Sequence, residues 1–505
     1  MSGLRGSDKL EAERGTTIRI QSSTRSSSIM QASEPLSRRL QPQRVIYKVR
    51  DGDRFRFADD PSFALALCER IDRLAQHHGA RPSLRPRNLF VKNGDDLADR
   101  DGIRRLMALA EENDPTYQPR NLRRYAAIDT DQPELVRDLL RNERRDETEL
   151  VYVEGATGVP SEPATFNFGS WGAIHLDYLG LEGIDVRGLW SRRVHQLLAT
   201  KFADVEIDWS LGHGFLGGCI GGESHDNRFG FADHGTSILS VILSVLGKPF
   251  ASAPAGMPWG PATNGSTHSS VTSLPQSPFL PVVVNEAAIT AAGNALHPGD
   301  VLLLELEKTP HGFPKALPIE AEQATWDLIR AITATQVVVI EPAGNGGVLL
   351  DNVVIENGQF SMRQLLQNVA QHPFIDPARD SKTVMVGAGD ALNRYQQLGS
   401  SNFGRRVNCF AAGTGVVSTV TLRDTDPLPY ATNGIKQTSV AAAIIAGAVM
   451  LLQAYIRVRG VAPVTPDHLL ALIRNDDLAT QKSTGIGNMP SFEKIATRVL
   501  KEAFA

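Results

Sequence analysis

Residues 336–347 read QVVVIEPAGNGG. A run of β-branched residues enters a Pro-Ala-Gly-Asn-Gly-Gly turn with no polar alternation on the way. A strand that is apolar on both faces belongs in a parallel sheet covered by helices, and the glycines let the chain turn sharply at its end. Working outward, the same alternation repeats. Upstream lie the strand candidates KFADV (201–205) and VLLLELE (301–307), and the helix candidates TSILSVILSVLG (236–247), stopped by Gly247, and EAEQATWDLIRAI (320–332). Downstream lie the strand KTVMVGA (382–388), the long apolar helix SVAAAIIAGAVMLLQAY (439–455), and the helix TPDHLLALIR (465–474) with Thr465 as N-cap and Pro466 in its first turn. Strands alternating with helices predict an α/β fold, a mostly parallel central sheet between two helical layers.

The 505-residue chain is longer than one ordinary domain. Residues 1–43 are rich in Ser and Arg and poor in apolar residues, and are read as a disordered tail. Residues 44–155 read as a small α+β unit. RVIYKV (44–49), YAAID (125–129) and ELVYV (149–153) are strand candidates. Phe63, Leu67, Ile71 and Leu74 form one helical stripe, and Leu135, Val136, Leu139 and Leu140 another, with Asp131 as its expected N-cap. Residues 156–170, ATGVPSEPATFNFGS, read as a linker, and 171–505 as the main domain, with a Gly/Pro/Ser/Thr-rich surface excursion at 252–278.

Composition narrows the function. Hydrophobic residues make up 42% and the net charge is −4, which gives no drive toward nucleic acid or an acidic membrane. Cys68, Cys219 and Cys409 stand too far apart for a zinc motif or a disulfide framework. No apolar leader is visible at the N-terminus and no run reaches the length of a membrane span; Val440 to Leu452, broken by Gly447, reads as a buried helix. The expected location is cytoplasmic, with leaderless export as the alternative.

In a parallel α/β sheet, chemistry gathers where strands end and the next helices begin. This chain offers several such points. Asp204 ends the strand of KFADVEIDWSLGH (201–213), where an orienting carboxylate is needed; a turn acid or helix cap explains it equally. His234 stands before the helix in ADHGTSILSVIL (232–243), as a base or as a packing residue. Asn345 sits in the glycine turn, its amide able to donate to a developing oxyanion, or merely a loop residue. Ser439 begins a helix of small residues in NGIKQTSVAAAIIAG (433–447). The helix start offers N–H groups and positive dipole to an oxyanion, though Thr438 or Ser439 could simply cap the helix.

The order Asp, His, Asn, Ser is the subtilisin order of the serine-protease triad. HGTS (234–237), VVVIEPAGNGG (337–347) and QTSVAAAIIAG (437–447) resemble the strongest motifs of the subtilases (peptidase family S8). VGAGDALNRYQQLGSSNFG (386–404), FAAGTGVVST (410–419) and TGIGNMPSFEKI (484–495) are similar to segments between and beyond them. The resemblance spans roughly residues 165–497. It implies a three-layer subtilisin-like sandwich and a serine endopeptidase with Asp204, His234 and Ser439 as triad and Asn345 as oxyanion donor. Gly344, Leu304 and Glu305 are the expected substrate-binding residues. Residues 125–155 are similar to the second half of the family's ferredoxin-like prodomain. That implies a peptide or protein substrate, the chain's own N-terminal unit as an intramolecular partner, and self-cleavage within 150–170. No cofactor is required. Structural calcium is common in the family, but no dense Asp/Asn/Gly loop offers a site.

Two departures stand out. The family usually has glycine two residues before the serine, where this chain has Gln437; if that position needs positive φ, Gln strains it by ~1–3 kcal/mol. The aspartate motif reads DVEID, so Asp208 is the alternative to Asp204. A catalytically weak, peptide-binding or regulatory subtilase-like protein is the alternative function. A metallohydrolase built on His213, His225, Asp226 and His234 is disfavoured, because their spacing matches no metal-binding helix.

Overall fold

The run at 336–347 becomes a central strand of the molecule. The computed structural model describes residues 44–50, 61–90, 97–143, 148–158, 177–191, 200–206, 232–246, 268–269, 285–356, 359–363, 372–419, 430–432 and 435–505. The expected tail 1–43, most of the expected linker and of the 252–278 excursion, and Asp208, His213, Cys219, His225 and Asp226 lie outside them.

The N-terminal elements are β1 (Arg44–Val49), α1 (Pro61–His77), β2 (Arg85–Asn88), α2 (Leu97–Asn113), β3 (Tyr125–Asp129), α3 (Pro133–Glu143), β4 (Thr148–Val153) and β5 (Ala156–Gly158). There follow α4 (Arg187–Ser191), β6 (Phe202–Glu206), α5 (Ala232–Val245), β7 (His268–Ser269), α6 (Asn285–Ala295), β8 (Val301–Leu304), β9 (Glu307–Thr309), β10 (Leu317–Pro318), α7 (Gln323–Ala334) and β11 (Val338–Pro342). The remainder is β12 (Val353–Glu356), β13 (Gln359–Met362), β14 (Val384–Asp390), β15 (Gln396–Gln397), β16 (Cys409–Ala412), β17 (Val417–Thr419), β18 (Tyr430–Thr432), α8 (Thr438–Val458), α9 (Pro466–Ile473), β19 (Ala479–Ser483), β20 (Gly487–Pro490) and α10 (Phe492–Ala503).

The main sheet runs β19-β20-β16-β14-β11-β8-β6-β7, with β15 paired to β14. From β20 to β7 every pairing is parallel; only β19 and β15 run against it. Side chains alternate between two cores, as strand geometry requires. Phe202, Val301, Leu303, Val338 and Ile340 face the layer of α5 and α8. Ala203, Val205, Leu302, Leu304 and Val339 face α6 and α7. Helix α8 is buried from Thr438 to Ile456, which explains why its residues are small or apolar on every side. Each fully buried aliphatic side chain there contributes about 1.5–3 kcal/mol.

The N-terminal sheet is antiparallel in the order β2-β3-β1-β4, a split β-α-β arrangement with α2 inserted. Val45, Tyr47, Val49 and Val151 pack on α1 and α3. Ile46, Tyr125, Ala127 and Tyr152 face the other way and join α2, α6 and α7 in the second core of the main sheet. Asp131 does not cap α3; its carboxylate accepts from Ser83 N–H at 2.8 Å.

Ions lock this seam. Arg44 donates to Glu154 and Asp129, each at 2.9 Å, and Lys308 donates to Glu154 at 2.9 Å and lies 3.4 Å from Glu322. Gly155 N–H donates to Glu322 at 2.7 Å. The chain then forms β5 instead of an irregular linker, pairing Ala156, Thr157 and Gly158 with Thr309, Lys308 and Glu307. Nothing in the sequence ATG favours a strand; the exposed backbone of β9 supplies the reason.

Candidate active site

The functional side chains stand where β6, β8 and β11 end and α5 and α8 begin. His234 lies in the first turn of α5 and Ser439 is the second residue of α8. Helix starts leave backbone N–H groups without intrahelical partners, which favours polar side chains there. His234 Nε2 lies 3.2 Å from Ser439 Oγ, and both residues are buried.

The carboxylate on the other ring nitrogen is not the expected one. Glu206 Oε2 meets His234 Nδ1 in a short contact. Asp204, two residues earlier, shares that face of β6 but sits one step farther from the helix starts and does not make this bond. The contact expected of Asp204 is thus made by Glu206. With Nδ1–H given to Glu206, the Nε2 lone pair faces the serine hydroxyl, the arrangement a base needs to take a proton from it.

Asn345 stands in the loop after β11. Its Oδ1 accepts from Thr438 N–H at 3.2 Å and from Thr438 Oγ1 at 2.9 Å, and its own N–H donates to Glu307 at 3.0 Å. Fixing Oδ1 in this way leaves Nδ2 as the outward donor, buried and without a hydrogen-bond partner. Asn402, fully buried, ties the loop down. Its Nδ2 donates to Ala316 O at 2.9 Å and Ala343 O at 2.7 Å, and its Oδ1 accepts from Val348 N–H at 2.8 Å. Gly344 has φ +84°, and a Cβ there would stand 2.9 Å from Asn402 Nδ2, so glycine is required twice over. Thr438 lies within QTSVAAAIIAG and Asn402 within the 386–404 segment, but nothing in either stretch marks its role in holding Asn345 and its loop.

Of the other expected residues, Glu305 is fully buried immediately after β8. Burial, then the charges of Glu206 and Asp204, push its carboxyl well above the usual carboxylate range, against a smaller opposing effect of the Ser439 hydroxyl. Leu304 does not line this cleft. Its register partner is Val205, and both point into the core on the opposite face of the sheet. Glu307 is pushed up to about 7 by burial, partly offset by the Asn345 N–H.

Gln437, just before α8, has φ +77° and ψ −152° and is nearly buried. This region belongs almost exclusively to glycine and costs a side-chain-bearing residue ~1–3 kcal/mol. The strain lies two residues before Ser439, and Gln437 N–H is held by Gly413 O at 2.7 Å.

No protein-family profile matches the chain, and no curated protein matches it. Solved structures do. The crystal structure of fervidolysin from Fervidobacterium pennivorans, a keratinolytic enzyme related to subtilisin, is similar over 91% of this chain at 14% identity and a TM-score of 0.50. This chain spans 61% of that protein's length. The epidermin leader peptide processing serine protease of Staphylococcus aureus is similar over 90% of this chain and 98% of its own, at 13% identity and a TM-score of 0.47. The first likeness establishes a subtilisin-like fold.

Proposed function

We propose that the chain is a serine endopeptidase of the subtilase type. Ser439 is the nucleophile, His234 the general base, Glu206 the orienting carboxylate and Asn345 Nδ2 an oxyanion donor. The observation that carries the reading is the continuous Glu206–His234–Ser439 chain of contacts, beside an amide donor fixed by Thr438 and without a partner. In the reaction, Ser439 Oγ attacks the peptide carbonyl carbon as its proton passes to His234 Nε2. The carbonyl oxygen becomes an oxyanion, received by Asn345 Nδ2 and the Ser439 backbone N–H at the start of α8. His234 then gives the proton to the leaving amine, and the acyl-enzyme is hydrolysed by water through the same base. Covalent labelling of Ser439 by a fluorophosphonate, absent in S439A, tests this; a wild-type chain that resists labelling would reject it.

Self-processing belongs to the same proposal. Strand β5 runs antiparallel to β9 and ends with Gly158 paired to Glu307, two residues from Glu305, as a peptide added to a sheet edge beside the site would. Since 150–153 and 156–158 are held in strands, and Glu154 and Gly155 between them are tied to Arg44 and Glu322, the cut is expected between 159 and 170. A new N-terminus in that window, formed at a rate independent of concentration and missing in S439A, is the outcome to look for. A wild type that hydrolyses peptides yet stays full length would instead make the N-terminal unit a permanent module.

A further inference from the structure

We propose that Glu307 is a positioning residue for the oxyanion donor: its carboxyl accepts from the Asn345 backbone N–H and sets the direction in which Asn345 Nδ2 points. The role rests on the proposed serine-peptidase function. Strand β9 brings the carboxyl to the site. Glu307 pairs with Gly158 of β5 on one edge and with Pro318 of β10 on the other. Neighbouring side chains of a strand point to opposite faces. Lys308 therefore goes into the seam with Glu154 and Glu322, while Glu307 turns to the loop after β11. There Glu307 Oε2 accepts from Asn345 N–H at 3.0 Å.

The weight of this bond follows from what else holds the loop. Ala343 N–H donates to Val386 O at 2.8 Å, Asn402 N–H donates to Gly344 O at 2.9 Å, and Gly347 N–H donates to Ser400 O at 2.8 Å. These anchors hold the residues on either side of Asn345 and pass Asn345 by. Gly344 (φ +84°) and Gly347 (φ +62°) lie in the left-handed region, and without side chains they do little to stiffen the segment between them. Asn345 is gripped at two points instead. Thr438 holds Oδ1 at the end of the side chain, through its N–H at 3.2 Å and its Oγ1 at 2.9 Å, and Glu307 holds the backbone N–H. Thr438 alone would fix one end of the residue and leave the rest to turn about it; the second grip fixes the line along which Nδ2 projects. Nδ2 is buried and has no hydrogen-bond partner among the described residues, so its aim depends on those two grips. Misplacing such a group by ~1 Å can cost about 10²-fold in rate. Both forms of the Glu307 carboxyl can serve, because the neutral acid keeps an acceptor oxygen, as an amide does.

Fluorophosphonate labelling of Ser439 in the full-length chain, followed at several reagent concentrations, separates reversible binding from the bond-forming step. The phosphoryl oxygen takes the place of the peptide carbonyl oxygen, so the donor is used in the bond-forming step. E307M fills a similar space without an acceptor; its limiting labelling rate should fall about tenfold with the reversible constant unchanged. E307Q keeps an acceptor and should stay within about threefold of wild type. The double variant E307M/N345A should match N345A within about twofold, because nothing remains to be aimed. A limiting rate unchanged in E307M, E307Q as slow as E307M, or a double variant slower than N345A by the whole E307M factor would overturn the positioning role while leaving the peptidase reading intact. So would an effect confined to reversible binding. A wild type that is not labelled would overturn that reading, and this role with it.

Discussion

Two polar clusters are buried in this molecule at similar depth, and their charges balance differently. At the seam between the N-terminal sheet and the main sheet, Arg44 and Lys308 face Glu154, Asp129 and Glu322. Burial opposes every charge there, yet Arg44 and Lys308 are held firmly protonated by their acids, and Glu154 is brought below its usual range by both cations. At the other cluster, Asp204, Glu206 and Glu305 stand together, and among the described residues the cationic side chain that meets them is His234, through Glu206. A cluster whose acids are paired with cations resembles a rivet: removing one partner leaves a buried charge uncompensated. Where burial and neighbouring acids push a carboxyl well up with no cation among the causes, as at Glu305, a proton is held, and held protons can be moved during a reaction. The difference separates the part of the polar interior that fixes the structure from the part to which the proposed chemistry falls.

The largest test falls on the unbalanced cluster. E206Q should lower kcat by about 10⁴, because a neutral amide no longer selects the tautomer that leaves Nε2 bare. D204N should cost far less. Steady-state hydrolysis of a peptide by the two variants compares them directly; a larger loss in D204N would return the orienting role to Asp204. The balanced cluster should answer in stability instead. K308M strands Glu322, leaves Glu154 with Arg44 alone, and should cost about 3–5 kcal/mol in a denaturant melt while leaving the pH dependence of labelling unchanged. If K308M shifts that profile, the two clusters are electrostatically one.

Beside the histidine, N345A should lower kcat by about 10²–10³ with KM nearly unchanged, since the amide is needed only once the oxyanion forms. T438V removes one of the two bonds on Asn345 Oδ1 and should show the same pattern more weakly. A change confined to KM would make Asn345 a binding residue.

Much of this arrangement was legible in the sequence, and the misses have physical causes. The parallel sheet showed because strands buried on both faces are apolar throughout, as 337–340 and 301–304 are. His234, Asn345 and Ser439 showed because each stands at a junction between strand and helix. Glu206 was missed because Asp204 and Glu206 share a face, and composition does not say which reaches the helix starts. The rule that sites lie beyond the carboxyl ends of strands would have favoured the later acid. Leu304 was misjudged by parity: in a strand, neighbouring residues point to opposite faces. Strand β5 was invisible because its order comes from the backbone of β9, and the seam's ion pairs because their members are far apart in the chain.

Two smaller effects sharpen the contrast further. Glu307 and Glu322 are each raised to about 7, mainly by burial. A carboxyl raised on folding contributes stability that is present below its unfolded value of ~4.3 and is lost as pH rises through ~7. Glu154 and Glu320 are lowered and act in the opposite sense in acid. The melting temperature should therefore peak in mildly acidic solution and decline toward neutrality, and E307Q should flatten that decline. Smallest is Q437G, which relieves positive-φ strain at the edge of the site and should stabilise the chain by about 1 kcal/mol by thermal melting. Lower stability in Q437G would mean that the buried glutamine side chain outweighs its backbone cost.

The helix that begins with Thr438 and Ser439 is also a hazard during synthesis. Helix α8, 21 residues with an apolar stretch of mean hydropathy 2.0, is long and apolar enough to cross a bilayer, yet it is buried from Thr438 to Ile456. Its cover includes Met489, Phe492, Ile495 and Val499, which leave the ribosome after it does. Between those two moments a nascent chain presents a segment that an insertion machinery or a chaperone would recognise as membrane-bound cargo. A chain truncated ahead of β20 and α10 would keep that identity permanently, so early termination should yield aggregated or membrane-associated material rather than a soluble fragment.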